Sequence, residues 1–215
     1  MRLYLIRHGE SYVNLPDWPG GDADLGLTER GHRQAKALAA WLPNHLPEIH
    51  ALYTSTMLRT RETTAYLAEV YPNPVQADDR IREIGNNRLD HTAWPTGEAP
   101  STEEFVDFWS SERPFAPVAT REGGESMMHF KVRVGLFLEE ALVRHQDQTV
   151  VVVCHGGVVD MVFDYAFGVG PWRRCEIWTV NTGITYFEHV GHPGRETWRL
   201  HYQNRVEHLR DVALG

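Results

Sequence analysis

Leu5-Ile6-Arg7-His8-Gly9-Glu10-Ser11 closes the first apolar run of the chain, residues 2–6. An apolar strand ending in arginine, histidine and glycine sets a fixed cation and a nitrogen nucleophile at its C-terminal tip, the edge where open α/β sheets hold ligands. The residues on either side carry the same pattern. A Gly/Pro/Asp-rich loop, 14–26, leads to Thr28, which is suited to cap a helix running to Trp41, with Ala35, Leu38, Ala39 and Leu42 on one face. A strand at 51–54, a helix at 58–71 stopped by Pro72 and Pro74, and a strand at 75–77 follow. A long helix is expected over 126–145, with Phe130, Val134, Phe137 and Ala141 along one stripe. The unalternated run 149–154 reads as a parallel strand buried on both faces, and a helix over 158–167 comes next. Residues 184–189 and 197–202 alternate on either side of Gly191-His192-Pro193-Gly194, as in a hairpin. The order predicts an α/β three-layer sandwich: a mostly parallel central sheet, an antiparallel edge, and helices on both faces. Between 85 and 123 periodicity fades, apart from a short helix at 102–110. We read that stretch as a lid or insertion over the site, within a single domain spanning 1–215.

The 215 residues carry 21 basic and 29 acidic side chains, a net charge of −8 that speaks against broad binding to nucleic acid or anionic membranes. The length suffices to bury a core without disulfides or metals. Cys154 and Cys175 lie in or beside apolar runs and form no disulfide framework, which favours a reducing cytoplasm. The N-terminus enters a strand without the pattern of a signal peptide, and no apolar stretch approaches the ~20 residues of a membrane helix. A cytoplasmic protein is expected, its oligomeric state left open.

Three further motifs fall at expected strand ends or loop starts. In Tyr53-Thr54-Ser55, followed by Leu58-Arg59-Thr60, Arg59 enters the first turn of a helix, where its charge joins the positive end of the dipole. A solvated arginine is the alternative reading. Arg82-Glu83-Ile84-Gly85 offers a loop carboxyl that could protonate an oxygen leaving phosphorus, or merely pair with Arg80 or Arg82. Val153-Cys154-His155-Gly156-Gly157 ends a buried strand in a histidine and opens a helix with two glycines, whose backbone N–H groups can meet a phosphoryl oxygen.

Together with Leu27-Thr28-Glu29-Arg30-Gly31, Gln34-Ala35, Asn14 and Gly124-Glu125-Ser126, these motifs make the chain resemble the histidine phosphatase superfamily, in its phosphoglycerate-mutase-like branch. The resemblance implies a phosphomonoester hydrolase working through a phosphohistidine on His8 and acting on a small phosphorylated metabolite. It implies a phosphate pocket of Arg7, Arg59 and His155, a proton donor in Glu83, an added phosphate contact from Asn14, and a place near the phosphate or its leaving group for Gly21. No cofactor and no metal are implied. To attack phosphorus His8 must be neutral, and neighbouring cations disfavour its protonation.

A mutase is one alternative. Mutases of the family carry Glu-Arg-His-Tyr-Gly at the acid, whereas this chain has Glu83-Ile84-Gly85-Asn86-Asn87, and the Trp-Glu-Gly of many small phosphatases is absent as well. A module that binds phosphorylated ligands without turning them over is the other. The chain has 12 histidines, but His189, His192, His201 and His208 lack the spacing of metal ligands. Cys154 points opposite to His155 along its strand and reads as a core filler. Among the tryptophans, Trp94, Trp109 and Trp172 are candidates to line a substrate pocket, while Trp41, Trp178 and Trp198 read as core. Glu10 reads as scaffolding for the His8 loop.

Overall fold

Residues 1–95, 97–105, 115–119, 121–170, 175–192 and 195–212 are described by a computed structural model, so Trp109, Trp172, Pro193 and Gly194 lie outside the described residues. The elements run β1 Arg2–Arg7, α1 Glu29–Trp41, β2 Ala51–Ser55, α2 Leu58–Ala68, β3 Val75–Asp78, α3 Met127–Arg144, β4 Thr149–Cys154, α4 Gly156–Ala166, β5 Ile184–His192 and β6 Arg195–Arg205. They form a six-stranded sheet in the order β3-β2-β4-β1-β5-β6. The four strands from β3 to β1 are parallel; β5 and β6 add an antiparallel edge.

Every residue of β4 is buried, because α3 and α4 cover one face of the sheet and α1 and α2 the other. Strand alternation sorts the side chains. Leu3, Leu5, Val150, Val152 and Cys154 pack with Phe130, Val134 and Val162, whereas Ile6, Leu52, Val151 and Val153 pack with Leu38, Leu42 and Leu67. Two helix starts are fixed by hydroxyl caps: Thr28 Oγ1 accepts from the Gly31 amide, and Ser126 Oγ accepts from that of His129.

Several boundaries differ from expectation. α2 stops at Ala68 rather than 71: the Val70 amide turns to the Leu67 carbonyl, an i→i−3 bond that tightens the last turn, and the Tyr71 hydroxyl donates to Leu46 O. α4 starts two residues early, at the glycines themselves, with His155 as its N-cap. β5 and β6 run on to a Gly191–Glu196 and a His192–Arg195 pairing, which absorbs part of the expected loop. Of the helix expected at 102–110, the described residues include only a 3-10 turn, Thr102–Glu104, and residues 106–110 lie outside them. Residues 85–123 are tied to the body by isolated bridges: Arg88 to Gly124, and Ser101 to Asp22 in the first loop. Among the described residues no helix is long and apolar enough to cross a membrane.

Candidate active site

The sheet register builds the site. Arg7 pairs with Cys154 across β1 and β4, and Thr54 with Val153 across β2 and β4, so the three strands end level and the next residues, His8, His155 and Ser55, share one edge. This is the C-terminal edge of the parallel strands. The turn that carries His8 is held from below: the Glu10 amide donates to Gln34 Oε1, and Glu10 Oε1 accepts from Thr28 Oγ1. Gly31 sits so close that a Cβ there would overlap the Glu10 carbonyl oxygen. Glu10 is therefore scaffolding, and the Leu27–Gly31 motif is the seat of the loop that carries His8.

His8 is buried, with Nδ1 2.7 Å from the Gly9 carbonyl and Nε2 3.1 Å from Arg59 Nε. A ring nitrogen facing a carbonyl carries the proton, and one facing a guanidinium N–H offers its lone pair. The two contacts therefore fix a single neutral tautomer, with the lone pair on Nε2. Burial, and then the charges of Arg59 and Arg7, hold its pKa well below the usual histidine range. Desolvation outweighs the arginines here, and the same holds for His155, which is likewise kept neutral.

The His155 ring stands 5.2 Å from that of His8, edge to face. Its Nε2 lies 2.9 Å from Ser55 Oγ, and its buried Nδ1 has no hydrogen-bond partner. Arg7 donates through Nη1 to the Thr179 carbonyl, while its buried Nε is also unpartnered. Arg59, in the first turn of α2, donates through Nη1 to Ala23 O at 2.7 Å, and burial lowers its pKa to about 10 against the opposing pull of Glu83 and Asp24. Glu83 is held by two backbone amides, Ile84 N to Oε1 at 2.9 Å and Gly157 N to Oε2 at 3.3 Å. A Cβ on Gly157 would overlap Oε1, so the second glycine makes room for this carboxylate. Gly156 is the first residue of α4, where backbone N–H groups have no carbonyl inside the helix.

His8, Arg7, Arg59, His155, Glu83 and Gly156 thus converge. Asn14 joins them indirectly: Asn181 Nδ2 donates both to His8 O and to Asn14 Oδ1. Gly21 has a φ of 98°, a conformation that favours glycine, with open space where a Cβ would stand. Cys154 lies on the opposite face, among the α3 and α4 side chains, and burial pushes its thiol pKa up. Among the described residues no group of three His, Cys, Asp or Glu side chains could hold a metal ion.

Some site residues escape the sequence reading. Ser55 orients His155, Asn181 braces the His8 carbonyl, and buried Arg82 places Nη1 on Thr56 Oγ1 and leaves Nε unpartnered. The Glu125–Arg133 ion pair, both side chains fully buried, clamps the Glu83 loop: Arg133 donates to the carbonyls of Arg80, Arg82 and Glu83, and Glu125 accepts from the Gly85 amide. Trp178, expected in the core, is 64% exposed and lines the pocket beside Glu83; Trp94 packs against Arg121 instead and is not part of that pocket.

A sequence model of the histidine phosphatase superfamily (branch 1) matches residues 3–204. A putative phosphoserine phosphatase 2 of Hydrogenobacter thermophilus is 30% identical over 213 residues, 99% of each chain. A probable phosphoglycerate mutase GpmB of Erwinia tasmaniensis is 26% identical over 100% of this chain and 97% of its own. Among solved structures, Bacillus stearothermophilus YhfR superposes with a TM-score of 0.73 at 27% identity, covering 97% of this chain and 99% of its own.

Proposed function

This chain belongs to the histidine phosphatase superfamily, branch 1, and from that premise we propose that it hydrolyses small phosphomonoesters through a phosphohistidine on His8. One observation carries the reading: a neutral, buried His8, its Nε2 lone pair facing Arg59, shares the strand edge with two unpartnered buried nitrogens, Arg7 Nε and His155 Nδ1. A phosphoryl oxygen would satisfy both of them. In the first step Nε2 bonds to phosphorus as the ester P–O bond breaks, and Glu83 gives its proton to the departing alkoxide. In the second step Glu83 takes a proton from water while the water oxygen bonds to phosphorus, and the P–N bond breaks to release phosphate. Arg7, Arg59 and His155 balance the charge on the phosphoryl oxygens throughout, with Asn14, Gly21 and Gly156 at the periphery of the same pocket. Residues 85–123 act as a cover over the site within a single domain, its Ser101 bridged to Asp22 in the loop that carries Ala23. A cytoplasmic setting suits Cys154 and Cys175, neither of which forms a disulfide.

Rapid acid quench after mixing with labelled phosphomonoester tests this reading. Acid-labile, base-stable label is expected on wild-type protein and none on His8→Ala, together with loss of steady phosphate release. Undiminished turnover by His8→Ala would refute it.

A further inference from the structure

Among the described residues three arginines are buried: Arg59, Arg82 and Arg133. Arg133 is matched by Glu125 and by three carbonyls. Arg82 has far less. Its Nη1 donates to Thr56 Oγ1 at 2.9 Å, its buried Nε has no acceptor, and none of the described carboxylates forms an ion pair with it. The acids whose charges reach it, Asp24 and Asp79, are engaged elsewhere: Asp24 accepts from the Leu58 amide, and Asp79 from the Thr56 hydroxyl. A buried charge is costly unless an anion meets it, so the free protein holds Arg82 at the expense of stability.

The fold shows where that anion belongs. Four parallel strands end side by side in the order β3-β2-β4-β1. β1 delivers Arg7 and His8, β4 delivers His155, β2 delivers Ser55 and Thr56, and the 3-10 turn after β3 delivers Arg82. Its backbone is fixed there, with the amide donating to Asp79 O and the carbonyl accepting from Arg133 Nη1. Thr56, which holds the guanidinium, directly follows Ser55, which holds His155. We propose that Arg82 is a further phosphate-binding residue, closing the phosphoryl pocket on the β3 side as Arg7 closes it on the β1 side, with Nε donating to a non-bridging oxygen. The inference rests on the phosphomonoesterase reading and adds a third guanidinium to its pocket. Charge spread over three equatorial oxygens during transfer gives that guanidinium a partner. Electrostatics agree: burial lowers the pKa of His155 and of Arg59, and the charge of Arg82 lowers both further.

Arg82→Met keeps the buried stem and leaves Thr56 its bond to Asp79. In phosphate-free buffer its Tm is expected at or above that of the wild type, because an unmatched charge is gone. Its kcat/KM on p-nitrophenyl phosphate should fall by about 10²-fold or more, as when one donor leaves a transition-state pocket. Inorganic phosphate, titrated by calorimetry, should bind at least about tenfold more weakly, and Arg82→Lys should recover part of both losses. Unchanged phosphate affinity and turnover in R82M, or a Tm below the wild type, overturns the assignment of Arg82, while label on His8 keeps the phosphatase reading. Absence of turnover by the wild type, with no label on His8, overturns both.

Discussion

Replacing Arg133 with methionine should cost this protein more stability than any substitution on its surface. Methionine keeps most of the buried stem, and the guanidinium alone is lost. The Glu125 carboxylate then keeps only the Gly85 amide, 2.7 Å from Oε1, and the carbonyls of Arg80, Arg82 and Glu83 lose their donor. Breaking a buried ion pair from one side costs about 3–5 kcal/mol, because a charge is left unpaired in the interior. For a chain of this size each kcal/mol lowers Tm by about 2–4 °C, so the expected drop is about 6–20 °C. Adding Glu125→Gln should restore more than about 1 kcal/mol, since the amide still accepts from Gly85 and no longer strands a charge. Urea denaturation of the wild type, R133M, E125Q and R133M/E125Q closes the cycle. A loss below about 1 kcal/mol in R133M, or a double variant less stable than R133M, would show that the pair is not what clamps the Glu83 loop.

Two further outcomes follow from single contacts. Gly157→Ala puts a methyl group on Glu83 Oε1 and should lower kcat on an alkyl phosphate by about 10²–10⁴, the range of general-acid catalysis, but much less on an aryl phosphate whose good leaving group needs no proton; an equal loss on both would mean that Glu83 is not the donor. His208, largely buried against Thr182 Oγ1, has its pKa lowered to about 4 by desolvation. Below pH 6.5 the unfolded chain therefore binds a proton that the native state refuses, and stability falls by about 3 kcal/mol between pH 6.5 and 4. His208→Asn should flatten that part of the pH–stability curve, leaving the slope from His8 and His155, which runs the same way; an unchanged curve counts against a buried neutral His208.

The fold was legible wherever burial leaves a one-dimensional trace. A strand covered on both faces must be apolar along its middle, and residues 150–154 show it; a helix start must satisfy its own amides, and Thr28 does so. The strand order left no such trace, because β4 enters between β2 and β1 through contacts between residues remote in sequence. The residues that follow β1 and β4, His8 and His155, were nonetheless within reach, since each comes directly after an apolar run. Asn181 was not. It precedes β5, and only the antiparallel pairing of β5 with β1 brings the start of that strand to the tip where β1 ends. A reading that looks for ligands after strands passes over a residue that stands before one.

The same reasoning explains why the charged residues that converge on the strand edge could be read from sequence and the pocket beside Glu83 could not. Phosphate recognition needs fixed charges and backbone amides at strand and helix termini, and termini announce themselves through glycines and the ends of apolar runs. That pocket draws Met127 and Phe130 from the first turn of α3, Asp160 and Met161 from the first half of α4, and Glu176 and Trp178 from an irregular segment before β5. Taken singly, each of the apolar ones looks like core, as Trp178 did. What separates a pocket wall from a core residue is whether another element covers it, and at Trp178 none of the described residues does so fully, leaving the indole 64% exposed beside the acid. The residues proposed to handle the phosphoryl group are therefore marked locally in this chain, whereas the walls of the pocket beside Glu83 depend on how α3, α4 and the segment before β5 meet.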